Sequence, residues 1–221
     1  MSTAKPEVPR PPRLGGLLAA DHADLLRDLD WADVDVRGDF AGVCLGQLQV
    51  QGARVTSSKF VGADLQRARI IDAVIDGSDL SGARIDEAAL TRVEFRDCRL
   101  SGAQFNASRL TDMRFTGCRL DGASFRMVRG DRVWFEDCVL TEAELYAAEL
   151  SAARFERCEL GRADFSQARI PDARLVGSTL DDIRGIGGLQ RPVIDATQVV
   201  QLAYALMAVH GVVIQDLEDD G

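Results

Sequence analysis

Cys98, Cys118, Cys138 and Cys158 recur at intervals of 20 residues, and Cys44 stands apart. Four evenly spaced thiols could form a metal site, a redox device or a wall of small packed side chains. Other chemistry is thinly represented. The histidines are His22 and His210, one near each end. The sequence carries neither the GxxxxGK[ST] loop that cradles phosphates nor an HExxH metal motif. Carboxylates are plentiful, but acid–base catalysis needs them in a cleft that perturbs their ionisation. The meaning of the cysteine spacing therefore rests on the elements that position it.

Composition narrows those elements. A chain of 221 residues with 46% hydrophobic content can bury a core and is not wholesale disordered. No apolar run approaches the roughly 18 residues of a membrane span. The start lacks the charged and apolar blocks of a secretory signal. Five cysteines without such a signal fit a reducing compartment, so a cytoplasmic location is expected. The formal charge of −9 lies mostly at the ends. Residues 1–35 hold 4 basic and 7 acidic side chains, residues 186–221 hold 1 and 5, and residues 36–185 hold a nearly balanced 21 and 23.

A five-residue clock runs through the middle. Of the 30 positions taken every fifth residue from Phe40 to Gly185, 28 are Leu, Ile, Val or Phe, the exceptions being Gly130 and Gly185. All nine phenylalanines of the chain lie on this clock. Two residues earlier, 22 of 30 positions are Ala, Ser or Cys. Neither the 3.6 period of a helix nor the 2 of a strand fits. A sustained period of five requires a solenoid in which each unit forms one side. The large residue and the small one before it point inward, and the other three point outward. Gly and Asp help the corners turn.

The number of sides follows from a second period. Phe95, Phe115, Phe135 and Phe155 repeat at 20, as do Phe105 and Phe125, and the small column reads Ser58, Ser78, Cys98, Cys118, Cys138, Cys158, Ser178. A four-sided coil of 20 residues accounts for all of them. Residues 36–185 then make about 7.5 coils and a rod of roughly 36 Å, at about 4.8 Å per coil. The cysteines become a straight ladder of about 4.8 Å rungs, which cannot converge on one tetrahedral zinc at about 2.3 Å. Disulfides between rungs are disfavoured too, because the β-carbons stand too far apart. Packing is the expected role, with no metal and no cofactor.

Units such as "VGADL", "DGSDL" and "GRADF" resemble the pentapeptide-repeat family, whose unit is a small residue, Asp or Asn, Leu or Phe, and two variable residues. The resemblance covers residues 36–185 and implies an all-β solenoid, a right-handed quadrilateral β-helix with α-helical caps. This sequence often places Arg where the family has Asp or Asn, as at Arg69, Arg84 and Arg99. The expected organisation is a flexible proline-rich tail over 1–13, a helical cap over 14–35, the β-helix over 36–185, and a C-terminal cap over 186–221. Leu14, Leu17, Leu18, Leu25 and Leu29 lie near helical spacing over 14–31. Asp195 and Gln198 predict a capping box before a helix ending at Gly211, and "VVI" at 212–214 a short strand.

The resemblance further implies a non-enzymatic binding module. The quinolone-resistance members of the family pair through a C-terminal helix, mimic DNA and occupy the DNA-binding saddle of gyrase. By that likeness Val199, Leu202, Leu206 and Val209 would form a homodimer. Residues 136–182, with 11 acids and 5 bases, would supply the acidic face through Glu142, Glu144, Glu149, Glu156, Glu159 and Asp164. Simple capping and simple solubility are the competing readings. A scaffold for another protein is the chief alternative, acting through the outward Met127, Trp134 and Tyr146 around Gly130, where a local bulge is the competing reading, or through the arginine columns. Nucleic-acid binding through residues 92–132, with 9 bases and 5 acids, is the third. It is disfavoured by the interleaved acids and the lack of stacking aromatics there.

Overall fold

The structure, a computed structural model, describes residues 8–209. In chain order the elements are β1 (Leu18–Ala19), α1 (His22–Arg27), β2 (Asp30–Val36), β3 (Gln49–Thr56), β4 (Arg69–Asp76), β5 (Ala89–Arg96), β6 (Arg109–Thr116), β7 (Arg129–Glu136), β8 (Glu149–Ser151), β9 (Arg154–Glu156) and α2 (Val199–Val209). The strands form one parallel sheet in sequence order, with β8 and β9 pairing the two ends of β7. From β3 onward the register steps by 20, as in Val50↔Ile70, Ile70↔Leu90 and Leu90↔Leu110. Bridges such as Lys59↔Asp79 and Asp64↔Arg84 carry the same step around the remaining sides. The fold is a quadrilateral β-solenoid.

Each side has a five-residue unit with a large inward residue at its centre. We number the sides by those residues: side one holds Leu100 and Leu120, side two Phe105 and Phe125, side three Leu110 and Gly130, side four Phe115 and Phe135. β3 to β7 run along sides three and four. The chain turns two residues after each centre, where φ is positive: Gly102, Ala107, Asp112 and Gly117 close one coil at φ 65°, 55°, 55° and 63°. Non-glycine residues in that region cost on the order of 1 kcal/mol or more each. Coil-to-coil backbone bonds hold them there, for example from Leu100 N to Arg119 O and from Phe105 N to Ser124 O, each at 2.7 Å.

The N-terminal cap differs from the sequence expectation. The helix expected over 14–31 is confined to His22–Arg27, capped by Asp21, and is followed by β2, which pairs with β3 as part of the first coil. Gly15 and Gly16 break the leucine pattern, and glycine is a poor helix interior. Leu25 and Trp31 still close the core, and Trp31 donates its Nε1–H to the carbonyls of Leu25 and Asp28. At the other end the capping box forms as the sequence predicts: Asp195 accepts from Thr197 N, and Gln198 Oε1 accepts from Asp195 N. Gln198 is buried and plugs the last coil by donating to the carbonyls of Leu175 and Ser178. The proposed stop at Gly211 and the strand at 212–214 lie outside the described residues, as does the Val209 side chain.

The tail expected over 1–13 is described from Val8 onward, and there it is held to the rod. Pro9 is buried, Arg10 N–H donates to Asp112 Oδ1 at 3.1 Å, and Arg13 N–H donates to Asp72 Oδ1 at 2.9 Å. Among the described residues no helix is long and apolar enough to cross a membrane.

Candidate interaction surfaces

The cysteine ladder lies inside. Cys98, Cys118, Cys138 and Cys158 are free and buried, and each Sγ approaches two carbonyl oxygens, for Cys118 those of Phe95 and Thr116 at 3.5 and 3.4 Å. Contact between neighbouring thiols shifts the ladder alternately: Cys138 and burial push Cys118 and Cys158 up, and Cys118 draws Cys98 and Cys138 down. All four are enclosed at 1% exposure, so neither a substrate nor a metal from solution reaches them. Among the described residues no three His, Cys, Asp or Glu side chains gather as a metal site.

The six acids named from the sequence do not share a face. Glu142 and Glu159 belong to side one, Glu144 and Asp164 to side two, Glu149 to side three and Glu156 to side four. Most carry arginine partners one coil away: Glu142 pairs with Arg162 at 2.6 Å, Glu156 with Arg174 at 3.0 Å, Glu144 with Arg126 at 3.4 Å and Glu149 with Arg129 at 3.5 Å. Asp164 caps its own turn by accepting from Ser166 N; burial raises its pKa, but its bonds to Ser166 outweigh this and hold it low. Among the described residues Glu159 and Asp164 have no ion-pair partner.

The same rule pairs acids and arginines at the corners of the rod. An acid at one position meets a base 20 residues on, as in Asp72–Arg92, Asp112–Arg132 and Asp137–Arg157. The bases of residues 92–132 are largely neutralised by these pairs and by neighbours on the same coil: Arg92, Arg96, Arg119, Arg126, Arg129 and Arg132 all pair with carboxylates. Exposed pairs of this kind contribute about 0–1 kcal/mol each. Their effect here is to remove a continuous positive surface.

The outward aromatics fall into two places. Met127, 54% exposed at a corner with φ 56°, and the half-buried Tyr146 both lie on side two, where Arg126 covers the Tyr146 ring at 4.8 Å. Trp134 lies on the opposite side four, sandwiched between Arg114 and Arg154, whose guanidinium carbons stand 5.1 and 4.0 Å from the ring centroid. It is thus not a free contact residue. No bulge accompanies it, since Gly130 pairs in register with Leu110 and Leu150. The Leu150 and Val133 side chains lean into the vacant seat, where a Cβ would meet them at 2.6 and 2.8 Å. An open depression on side three surrounds the spot, rimmed by Arg109, Arg129, Arg169 and Ser151.

In α2 the expected stripe is divided. Leu202 packs toward the core, whereas Val199 and Leu206 are 54% and 41% exposed. Val200 and Met207, absent from the expected stripe, are exposed as well. Sequence reading also missed the corner column Asp72, Arg92, Asp112, Arg132 beneath residues 8–13. The alternation of charge at steps of 20 was its available signal.

A family model described as a pentapeptide repeat region matches residues 48–125 and 108–184. No curated protein matches the chain. Among solved structures, the chain is similar to a trypsin-treated form of QnrB1, a plasmid-mediated fluoroquinolone resistance protein, at 24% identity over 85% of this chain and 92% of that one, with a TM-score of 0.48. Full-length QnrB1 aligns at 20% identity over 80% and 99%, with the same TM-score of 0.48. A pentapeptide repeat protein from the thylakoid lumen of Arabidopsis thaliana aligns at 23% identity over 57% and 72%, with a TM-score of 0.28.

Proposed function

This chain belongs to the pentapeptide-repeat family, and from that premise we propose that it is a non-enzymatic, rod-shaped binding module. Its partner is a protein, and the specific candidate is DNA gyrase or another type II topoisomerase, for which the rod substitutes for DNA in the cytoplasm. The observation that carries this reading is at the C-terminal end. There α2 leaves Val199, Val200, Leu206 and Met207 exposed, and the helix packs on the turn Ile186–Gly188 that closes the acid-rich coils. An apolar face of this kind suits burial against a second copy. Pairing there would make a homodimer with the acidic coils of both rods near its centre. Because arginines engage Glu142, Glu144, Glu149 and Glu156, the carboxylates left to imitate phosphates are Glu159 and Asp164.

A supercoiling assay with and without a fluoroquinolone tests the reading. Micromolar protein is expected to alter supercoiling or to relieve the drug's inhibition, and Glu159→Lys with Asp164→Lys is expected to remove the effect. If the wild-type protein leaves both reactions unchanged, gyrase is not the partner. An effect that survives the charge reversal rejects these carboxylates. Light scattering on wild type and Leu206→Asp reads the dimer separately.

A further inference from the structure

The corner between sides three and four carries the longest charge-alternating column of the four corners among the described residues: Asp72, Arg92, Asp112 and Arg132, all at φ between 55° and 58°. Arg92 grips Asp72 with two bonds of 2.6 and 2.7 Å, and Arg132 grips Asp112 in the same way. Asp72 and Asp112 are only 8% and 3% exposed, because residues 8–13 lie over them.

The fit between this segment and the corner is metrical. Asp72 and Asp112 are two coils apart, about 9.6 Å at the strand spacing. Arg10 and Arg13, whose N–H groups they accept, are three residues apart, about 9.3 Å in a polyproline strand. That strand has three residues per turn, so positions 10 and 13 share one edge and Pro9 and Pro12 share another. Pro9 is buried and Pro12 half-buried, while Pro11 is exposed. Proline cannot donate, and in "PRPPR" the only N–H groups are those that the carboxylates take. The side chains of Arg10 and Arg13 stay exposed, so recognition is by backbone.

We propose that the Asp72–Arg92–Asp112–Arg132 corner is a recognition groove for an extended proline-rich segment offering two N–H groups three residues apart, and that residues 9–13 of this chain are its exchangeable resident ligand. The prolines fix the strand before it binds and keep the ordering cost low. The Arg92 and Arg132 guanidiniums hold each carboxylate ionised and aimed outward. A segment of the same pattern in another molecule would bind by displacing the resident one.

The test uses the full chain. In Pro9→Asp with Pro12→Asp, the segment is weakened while the rod is untouched. A fluorescent peptide VPRPPRLGG should then bind this variant, read by anisotropy, and bind wild type at least about tenfold more weakly, because the resident segment competes. The same peptide N-methylated at both arginine amides should lose at least about tenfold in affinity, the loss expected for charge-assisted bonds. Trypsin should cut Arg13–Leu14 faster in the variant than in wild type. Failure of the peptide to bind the variant, equal binding of the N-methylated peptide, or equal cleavage in the two proteins would each overturn the proposal.

Discussion

The same five-residue unit fills the rod in two ways. Between Val50 and Leu90 the interior is largely aliphatic, and an apolar void of about 40 Å³ remains among Trp31, Leu48, Ile75, Leu80 and Phe95. Between Phe95 and Phe155 the rings of side four stack at 4.8–5.0 Å with planes within 8° of parallel, and those of side two meet them edge-on near 90°. The small column changes in step. Ser58 and Ser78 occupy it in the first region, each hydroxyl accepting a backbone N–H and donating to a carbonyl, and Cys98 to Cys158 occupy it in the second. A phenyl ring is flat and its offset-stacking distance is close to the coil rise, so a column of rings repeats without gaps. Branched aliphatic side chains have no flat repeat and leave space. Beside the rings the small position needs no strong hydrogen bond, so a thiol serves where the looser half uses a hydroxyl.

The largest test of that difference is Phe115→Ala. Phe115 stacks on Phe95 and Phe135 and meets Phe105 and Phe125 edge-on, so its loss opens four contacts at once. We expect a cost of about 3–5 kcal/mol by urea unfolding, with hydrogen-exchange protection falling first in the neighbouring coils. Leu80→Ala, beside the void, should cost nearer about 2 kcal/mol. Equal costs would break the comparison.

The fold was legible because a solenoid writes its geometry directly as a period: five names the side and 20 the coil. The inward role of the cysteines followed from the same arithmetic. What was missed needed the period to be applied across unlike residues. Adding 20 to each acid finds Arg92 for Asp72, Arg132 for Asp112 and Arg162 for Glu142, and adding or subtracting 20 from Trp134 finds Arg154 and Arg114. Columns of like residues were sought instead, so Trp134 looked free and the acids looked continuous. The docking of residues 8–13 had no periodic signal at all. It depends on two amides meeting carboxylates 59 and 102 residues away. The first cap misled because leucine spacing continued across Gly15 and Gly16, where the backbone does not.

Gly130 gives an intermediate effect, and its sign separates a vacancy from a filled seat. If the position were a hole in the ring-filled half, alanine would add contact and reduce the entropy of the unfolded chain, a gain of about 0.5–1 kcal/mol. Its Cβ would instead stand 2.6 Å from Leu150 Cδ2, 2.8 Å from Val133 Cγ2 and 3.3 Å from Leu110 O. We expect Gly130→Ala to destabilise by about 1 kcal/mol. Adding Leu150→Val removes the closest atom, so the double variant should show favourable coupling between the two sites. Additive losses would mean that the seat is not shared.

The smallest and most informative change runs in the stabilising direction. Ile75 stands directly below Phe95 in the side-four column, paired with it in register, and lines the void. Ile75→Phe would extend the ring stack by one coil. The void borders Ile75, Leu80 and Leu48, so a ring at position 75 would extend into it. The new ring would lie one coil rise from Phe95, the separation at which Phe95 and Phe115 already stack at 5.0 Å. Cavity filling of this kind contributes about 0.5–1 kcal/mol, or about 1–4 °C in Tm for a chain of this size. A gain places the softness of the first region in its side chains, since the backbone register there is the same as in the second. A loss would place it in the backbone, and the flat-ring account of the difference between the two halves would then be wrong.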